Sequence, residues 1–245
     1  MPSDANSESR KPLRPRSPQS DPTSAVPTDV NFCKEDPTII SQLQVPGVFA
    51  ENTYFYIDDH SKAGFLIDPG AQAGRIYDTI VRNGWKIEKI LLTHGHFDHM
   101  GAAELLREKL VAPIYIYPAD APYLSDPRLN LSASSGMPIT VTHYEDLYDG
   151  ELIRLKENNS FSLRVIHTPG HTPGSVTFYT ERDHAAFVGD TLYQHGPGLT
   201  NFPGGDRREL EESIVNKILT LPGDTLLLSG HSSPITVEEE KRMLL

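Results

Sequence analysis

The chain has 245 residues, 38% of them hydrophobic, with 22 Lys and Arg against 33 Asp and Glu and a formal net charge of −11. This length and apolar content suit one sizeable domain with a tail, and the acidic balance argues against a phosphate-tracking surface, so no nucleic-acid partner is expected. No stretch approaches 18 consecutive apolar residues and none reads as a secretory leader, so no membrane partner is expected; Cys33, the sole cysteine, cannot form an intramolecular disulfide and suits a reducing cytoplasm.

Residues 1–29 carry Pro2, Pro12, Pro15, Pro18, Pro22 and Pro27 among serines, a composition that cannot bury enough apolar surface to order itself. A disordered tail is expected there, followed by one domain over residues 30–245. Thr53 to Ile57 and Phe65 to Ile67 predict a hairpin closed by the turn-rich Asp58 to Gly64. Ile76, Ile80 and Val81 recur with a helical period from Arg75 to Asn83, and Gly84 supplies the stop. A strand follows from Ile87 to Leu92. Ala102, Leu105, Leu106 and Leu110 then mark a helix, Ile114 to Tyr117 a strand, and Pro118 to Leu124 a short helix with proline in its first turn.

Ser125 to Tyr148 is rich in Pro, Ser, Gly and Asp, and a loop of that length on a compact domain often carries function. The second half is strand-rich, with Glu151 to Leu155, Phe161 to Ile166, Val176 to Tyr179 and Ala185 to Val188. It ends with a helix from Arg207 to about Leu219, a strand from Thr225 to Leu228 and a helix from Val237 to Leu244. Such an α/β alternation predicts two layers of sheet between two layers of helix.

The segment Thr93-His94-Gly95-His96-Phe97-Asp98-His99 places three imidazoles and a carboxylate side by side at the end of a predicted strand. Imidazole and carboxylate suit zinc, iron and manganese, and burying so many polar groups together is costly unless a cation holds them. Three further polar residues leave strands through glycine-bearing loops. His171 lies in Pro169-Gly170-His171-Thr172-Pro173-Gly174-Ser175, Asp190 in Gly189-Asp190-Thr191-Leu192, and His231 in Ser229-Gly230-His231. Five histidines and two carboxylates are enough for two ions with positions left for water, although spacing alone does not divide the ligands between them. A metal brings the pKa of bound water from about 15.7 towards ~7, so no serine or cysteine nucleophile is needed.

This combination of motifs, in this order from about Gln42 to the C-terminus, resembles the metallo-β-lactamase superfamily, and within it the glyoxalase II-like (hydroxyacylglutathione hydrolase-like) branch. The resemblance implies a four-layer αββα sandwich and two divalent ions, zinc by expectation with iron and manganese as alternatives. It implies that His94, His96 and His171 hold the first ion, that Asp98, His99 and His231 hold the second, and that Asp190 bridges them. Asp98 would also orient the attacking hydroxide. The implied activity is that of a metal-dependent thioesterase acting on a small-molecule thioester or ester. A lactone or ester hydrolase and a mononuclear iron enzyme similar to persulfide dioxygenases are the alternatives; the oligomeric state is open.

Two departures bear on substrate. Glyoxalase II has an added helical C-terminal domain, whereas this chain ends shortly after His231, and it has a basic residue where this chain has Leu199. Leucine offers no partner to a glutathione carboxylate. Outside the motifs, His60, His143 and His184 read as exposed or hydrogen-bonded residues, His195, close after Asp190, as one able to line the pocket mouth, and His167 is not counted a ligand. Tyr193 and Asn201 read equally as substrate contacts or as packing residues. Asp68, in Asp68-Pro69-Gly70, reads as a turn residue able to accept a hydrogen bond from a ligating histidine.

Overall fold

In the computed structural model, which describes the backbone of residues 28–32 and the whole of residues 37–244, strand periodicity sorts the large apolar side chains into three separate cores. Nearly all of the tail expected over residues 1–29 lies outside the described residues, as does Cys33; its last two residues, Thr28 and Asp29, open the first strand.

The first sheet is built in chain order from β1 (Thr28–Phe32), β2 (Thr38–Val45), β3 (Glu51–Asp58) and β4 (Ala63–Ile67), all antiparallel. After α1 (Ala73–Asn83) it turns parallel with β5 (Lys86–Leu91). The chain then forms α2 (Phe97–Met100) and α3 (Ala103–Leu110), adds β6 (Ile114–Ile116), passes through α4 (Ala121–Ser125), and closes the sheet with β7 (Glu145–Asp146).

The second sheet takes β8 (Leu152–Arg154), β9 (Ser162–His167), β10 (Val176–Thr180) and β11 (Ala185–Gly189) as an antiparallel run. A two-strand hairpin, β12 (Leu192–Tyr193) with β13 (Gly196–Pro197), then stands apart before α5 (Arg207–Asn216). The chain returns as β14 (Leu226–Ser229), parallel to β11, and finishes with β15 (Ile235–Thr236) and α6 (Val237–Leu244).

Alternation along the strands explains the layering. Tyr54, Tyr56, Phe65, Ile67, Phe178 and Phe187 fill the core between the sheets, while their strand neighbours Phe55, Ile57 and Leu66 pack against Ile76 and Ile80 of α1 and Leu106 of α3. On the far side Tyr179, Ala186 and Val188 meet Leu210 and Ile214 of α5. The fold is therefore a four-layer αββα sandwich.

Element types follow the sequence closely, although the short strands β1, β7, β12, β13 and β15 had no counterpart in it and Val81, placed on the apolar stripe of α1, is exposed; three further differences follow. β2 was not expected, because Ser41, Gln42 and Gln44 dilute its apolar character; its pairing with both β1 and β3 supplies the order. The helix expected to continue from Arg207 to Leu219 stops at Asn216, and a single 3-10 turn, Ile218–Thr220, tucks Ile218 and Leu219 into the third core. Leu105 is not on the buried stripe of α3; it is exposed, and Ala103 and Leu106 are the buried positions. No helix among the described residues is long and apolar enough to cross a membrane.

Candidate metal centre

The parallel strand pairs β4–β5 and β11–β14 end at the same edge of the sandwich, where the two sheets are stitched together by Val176 N donating to Thr93 O at 2.8 Å and Asn52 N donating to Gly230 O at 2.8 Å. All seven residues singled out from the sequence come to this edge. His94 and His96 leave β5, Asp98 and His99 lie on α2, His171 sits between β9 and β10, Asp190 follows β11, and His231 follows β14. Gly230 lets the last of these approach: a Cβ there would stand 2.4 Å from His99 Cε1 and 2.6 Å from Asp190 Oδ1.

Two donor sets share Asp190. In the first, His94 Nε2 lies 3.1 Å from His96 Nδ1, which lies 2.8 Å from His171 Nε2; His171 Nε2 is 3.7 Å from Asp190 Oδ2. In the second, His99 Nε2 is 3.2 Å from His231 Nε2 and 3.3 Å from Asp190 Oδ1, while His231 Nε2 is 3.3 Å from Asp98 Oδ2 and 3.5 Å from Asp190 Oδ2. Ligands about 2.0–2.1 Å from one tetrahedral ion stand ~3.3 Å apart, the spacing seen in both sets.

The outward nitrogens fix which atoms face inward. His171 Nδ1 donates to Leu199 O at 2.6 Å, His231 Nδ1 to Ala50 O at 2.7 Å, and His99 Nδ1 faces Asp68 Oδ2 at 3.0 Å. Carbonyls and carboxylates only accept, so each of these three rings, once neutral, turns its Nε2 lone pair into the cluster. Thr93 extends the arrangement: its hydroxyl donates to Asp68 Oδ2 at 2.6 Å and stands 3.1 Å from His94 Nδ1. Lone pairs facing one another across about 3 Å repel unless a cation lies between them, so the donor set fits divalent ions.

Electrostatics divides the cluster. Burial and neighbouring imidazoles hold His94 well below the usual histidine range, and burial followed by His171 brings His96 down to about 3. Burial would lower His99 too, but the Asp190 and Asp68 carboxylates outweigh it and raise this ring well above its ordinary value. His231 is also raised, burial being overcome by Asp98 and Asp190. Asp190 itself is held well below the carboxylate range, burial being outweighed by the charge and hydrogen bond of His99 together with His171 and His231.

Several supporting residues were not legible from the sequence. Asp120, in the 3-10 turn Pro118–Asp120 and fully buried, accepts from Gly95 N at 2.8 Å, from Thr172 Oγ1 at 2.7 Å and from Gly174 N at 2.7 Å, so one carboxylate ties the two histidine loops together. Gly174 must be glycine here, since a Cβ would stand 2.5 Å from Asp120 N. Burial raises the Asp120 carboxyl to about 6 against the pull of these three donors. Glu51 lies behind His99, its Oε1 4.0 Å from Nδ1, and burial raises its carboxyl well above the usual range. With Asp68 and His99 it makes a further buried grouping behind the second donor set.

Tyr193, on β12, donates to Asp190 Oδ2 at 2.7 Å. The turn after it is anchored from the C-terminal segment: Gln194 N donates to Ser232 Oγ at 2.8 Å, and His195 N to the buried Glu240 of α6 at 2.9 Å. Asn201 is exposed and does not line the site. His167 faces Pro173 O and stacks on Tyr117 away from the cluster, His184 pairs with Asp224, and His60 and His143 are exposed. A cavity of about 490 Å3 opens over the centre, with apolar walls from Phe49, Leu131, Leu199 and Phe202.

Two sets of candidate donors meeting at Asp190, at the strand ends of facing sheets, form a cluster able to hold metal ions. The chain belongs to the metallo-β-lactamase superfamily, whose family model matches residues 46–231. It is 34% identical over 197 residues to hydroxyacylglutathione hydrolase GloC of Haemophilus influenzae, covering 79% of this chain and 91% of that protein. Among solved structures, BLEG-1 B3 metallo-β-lactamase is similar with a TM-score of 0.78 at 36% identity, covering 83% of this chain and 96% of the other. TTHA1623 in a di-iron-bound form is similar with a TM-score of 0.73 at 32% identity, covering 82% and 97%.

Proposed function

We propose that this hydrolase is a thioesterase of the hydroxyacylglutathione hydrolase type, with His94, His96 and His171 for one divalent ion, Asp98, His99 and His231 for a second, and Asp190 shared. The observation that carries it is the pair of donor sets around Asp190 at the floor of one cavity. Likeness to a hydroxyacylglutathione hydrolase along most of both chains supports the thioester as substrate. The nitrogen-rich donor set supports zinc, while the di-iron form of a similar structure keeps iron as the metal to test against it. When bound, such ions supply Lewis acidity towards the carbonyl and make water acidic enough to attack at neutral pH.

The chain's own residues do the rest. Asp98 Oδ2, beside His231 Nε2, is the carboxylate placed to orient water and to take up or return a proton at the reacting carbonyl. Tyr193 fixes the rotamer of Asp190 through its hydroxyl. Asp68, Leu199 O and Ala50 O hold the histidine tautomers. The apolar walls line the approach to the scissile bond. The single cysteine and the net charge of −11 support a cytoplasmic enzyme that acts on a small molecule, with neither nucleic acid nor membrane as partner.

Metal analysis with turnover tests this reading. About two zinc ions per chain with thioester hydrolysis are expected; a single iron with oxygen consumption on a persulfide would overturn it.

A further inference from the structure

Leu131 has a left-handed backbone, φ 70° and ψ −1°, which residues other than Gly, Asn and Asp rarely adopt. The surrounding structure holds it there. Its neighbour Asn130 is fully buried and donates from Nδ2 to Tyr123 O at 2.8 Å and to Ile139 O at 3.0 Å, while its Oδ1 accepts from Ser132 N at 3.0 Å. Asn130 O accepts from Phe97 N at 2.9 Å, tying this loop to the first residue of the helix that carries Asp98 and His99. The result is a leucine side chain set into the wall of the metal cavity. Strain over-determined by its surroundings and aimed at a site points to a role in that site.

The rest of the wall has the same character. Val48, Phe49 and Leu199 stand at the mouth with 63%, 57% and 53% of their surface exposed, an apolar rim that folding leaves uncovered. Among the described residues lining the cavity none is a lysine or an arginine; its charged groups are those of the metal cluster. A carboxylate on a substrate arm lying along these apolar walls would lose its water there and meet no cationic side chain. An uncharged arm would gain contact with Leu131, Phe49 and Leu199.

Building on the thioesterase reading above, we propose that the cavity selects acyl thioesters whose acyl and thiol arms are both uncharged, with Leu131 as a specificity-determining residue. The reaction is plain hydrolysis: the acyl carbon–sulfur bond breaks, water supplies the new carbon–oxygen bond and its proton goes to the departing thiolate. Glutathione thioesters, with their carboxylates, are disfavoured.

The test uses the full chain loaded with zinc and one acyl group on two thiols: phenylacetyl on N-acetylcysteamine, which is neutral, and on glutathione. The neutral thioester should be cleaved with kcat/KM about tenfold higher or more, the difference that burial of one aliphatic side chain supports. Leu131→Asn, whose new residue tolerates the left-handed backbone, should keep its melting temperature and lose about tenfold towards the neutral substrate, the loss falling in KM. Calorimetry with the unreactive thioether S-phenethyl-N-acetylcysteamine should show a matching loss of affinity. Leu199→Arg should lower KM for the glutathione thioester.

Equal or better turnover of the glutathione thioester, or unchanged thioether affinity in Leu131→Asn, overturns the inference while leaving the thioesterase reading in place. If neither thioester is cleaved, that reading fails, and calorimetry still decides recognition. Tighter binding of the neutral thioether than of S-phenethylglutathione supports an uncharged-arm site, and the reverse refutes it.

Discussion

His94, His96 and His171 lie against one another's rings, and burial pushes all three pKa values down, whereas His99 and His231, built of the same side chain a few ångströms away, are pushed up by Asp190, Asp68 and Asp98. The difference lies in what stands behind each ring. The first half has one backbone carbonyl behind His171, a hydroxyl behind His94 and the distant clamp of Asp120; in the second, Asp68 backs His99, and His231, although its Nδ1 rests on Ala50 O, faces Asp98 and Asp190, carboxylates that favour a proton and would favour a divalent cation by the same attraction. Position relative to acids, rather than residue type, decides which imidazoles arrive neutral.

Removing the shared residue breaks both halves at once. Asp190→Ala should lose both ions and cut turnover by on the order of a thousandfold, while His171→Ala should empty the first half and leave second-half binding measurable. Metal content by mass spectrometry beside thioesterase rates checks this, and a variant that keeps two tightly held ions would contradict the shared role.

A smaller lesion separates the halves without touching a ligand. Asp120→Ala strips Gly95 N, Thr172 Oγ1 and Gly174 N of their acceptor, so about 3 kcal/mol of stability should go and first-half metal affinity should fall by about 10–100-fold. Second-half affinity should hold. An equal loss in both halves would mean that Asp120 only supports the fold.

The order in which these features became legible follows from how local they are. His94, His96, Asp98 and His99 fall in one short run at a strand end, and His171, Asp190 and His231 each sit in a glycine-bearing loop of the same kind, so residue type and motif order were enough to find them. The sandwich was legible from the succession of strand and helix patterns and from motif order; which of Tyr54, Phe55, Tyr56 and Ile57 face the other sheet and which face the helices was not, because the run is almost continuously apolar. Asp120 was not, because its partners lie 25 to 54 positions away and Pro118 to Leu124 reads as ordinary helix. Leu131 hides for a different reason: a leucine in a loop carries no sign that its neighbour Asn130 will force it left-handed towards the centre.

Acidity reads the contrast directly. His99 and His231, raised, hold their protons to higher pH than a free imidazole, so an ion entering the second half competes with protons, and its affinity should climb with pH by up to about tenfold per unit for each proton released. The first-half rings are all lowered, His96 to about 3, so affinity there should depend less on pH than in the second half around neutrality. Metal-free stability carries the same signs. The contribution of His99 and His231 is complete below the unfolded value of about 6.5 and is lost as pH rises through their folded values; that of His94 and His96 is present above about 6.5 and is lost as pH falls. Cobalt titrations of the two halves at several pH values check the binding slopes, and parallel slopes would dissolve the distinction.

Tyr193→Phe gives the mildest test and bears on the residue that joins the halves. The phenol donates 2.7 Å to Asp190 Oδ2, the oxygen lying 3.7 Å from His171 and 3.5 Å from His231. Losing it removes one hydrogen bond to a charged group and leaves an acceptor that an ion can satisfy, so the net cost should be about 1 kcal/mol, or roughly fivefold in kcat/KM. Because Gln194 N and His195 N stay tied to Ser232 and Glu240, the turn after β12 should keep its place and both ions should stay bound. A loss of metal from Tyr193→Phe would mean that the phenol, and not the pull of the surrounding histidines, holds Asp190 between the two halves.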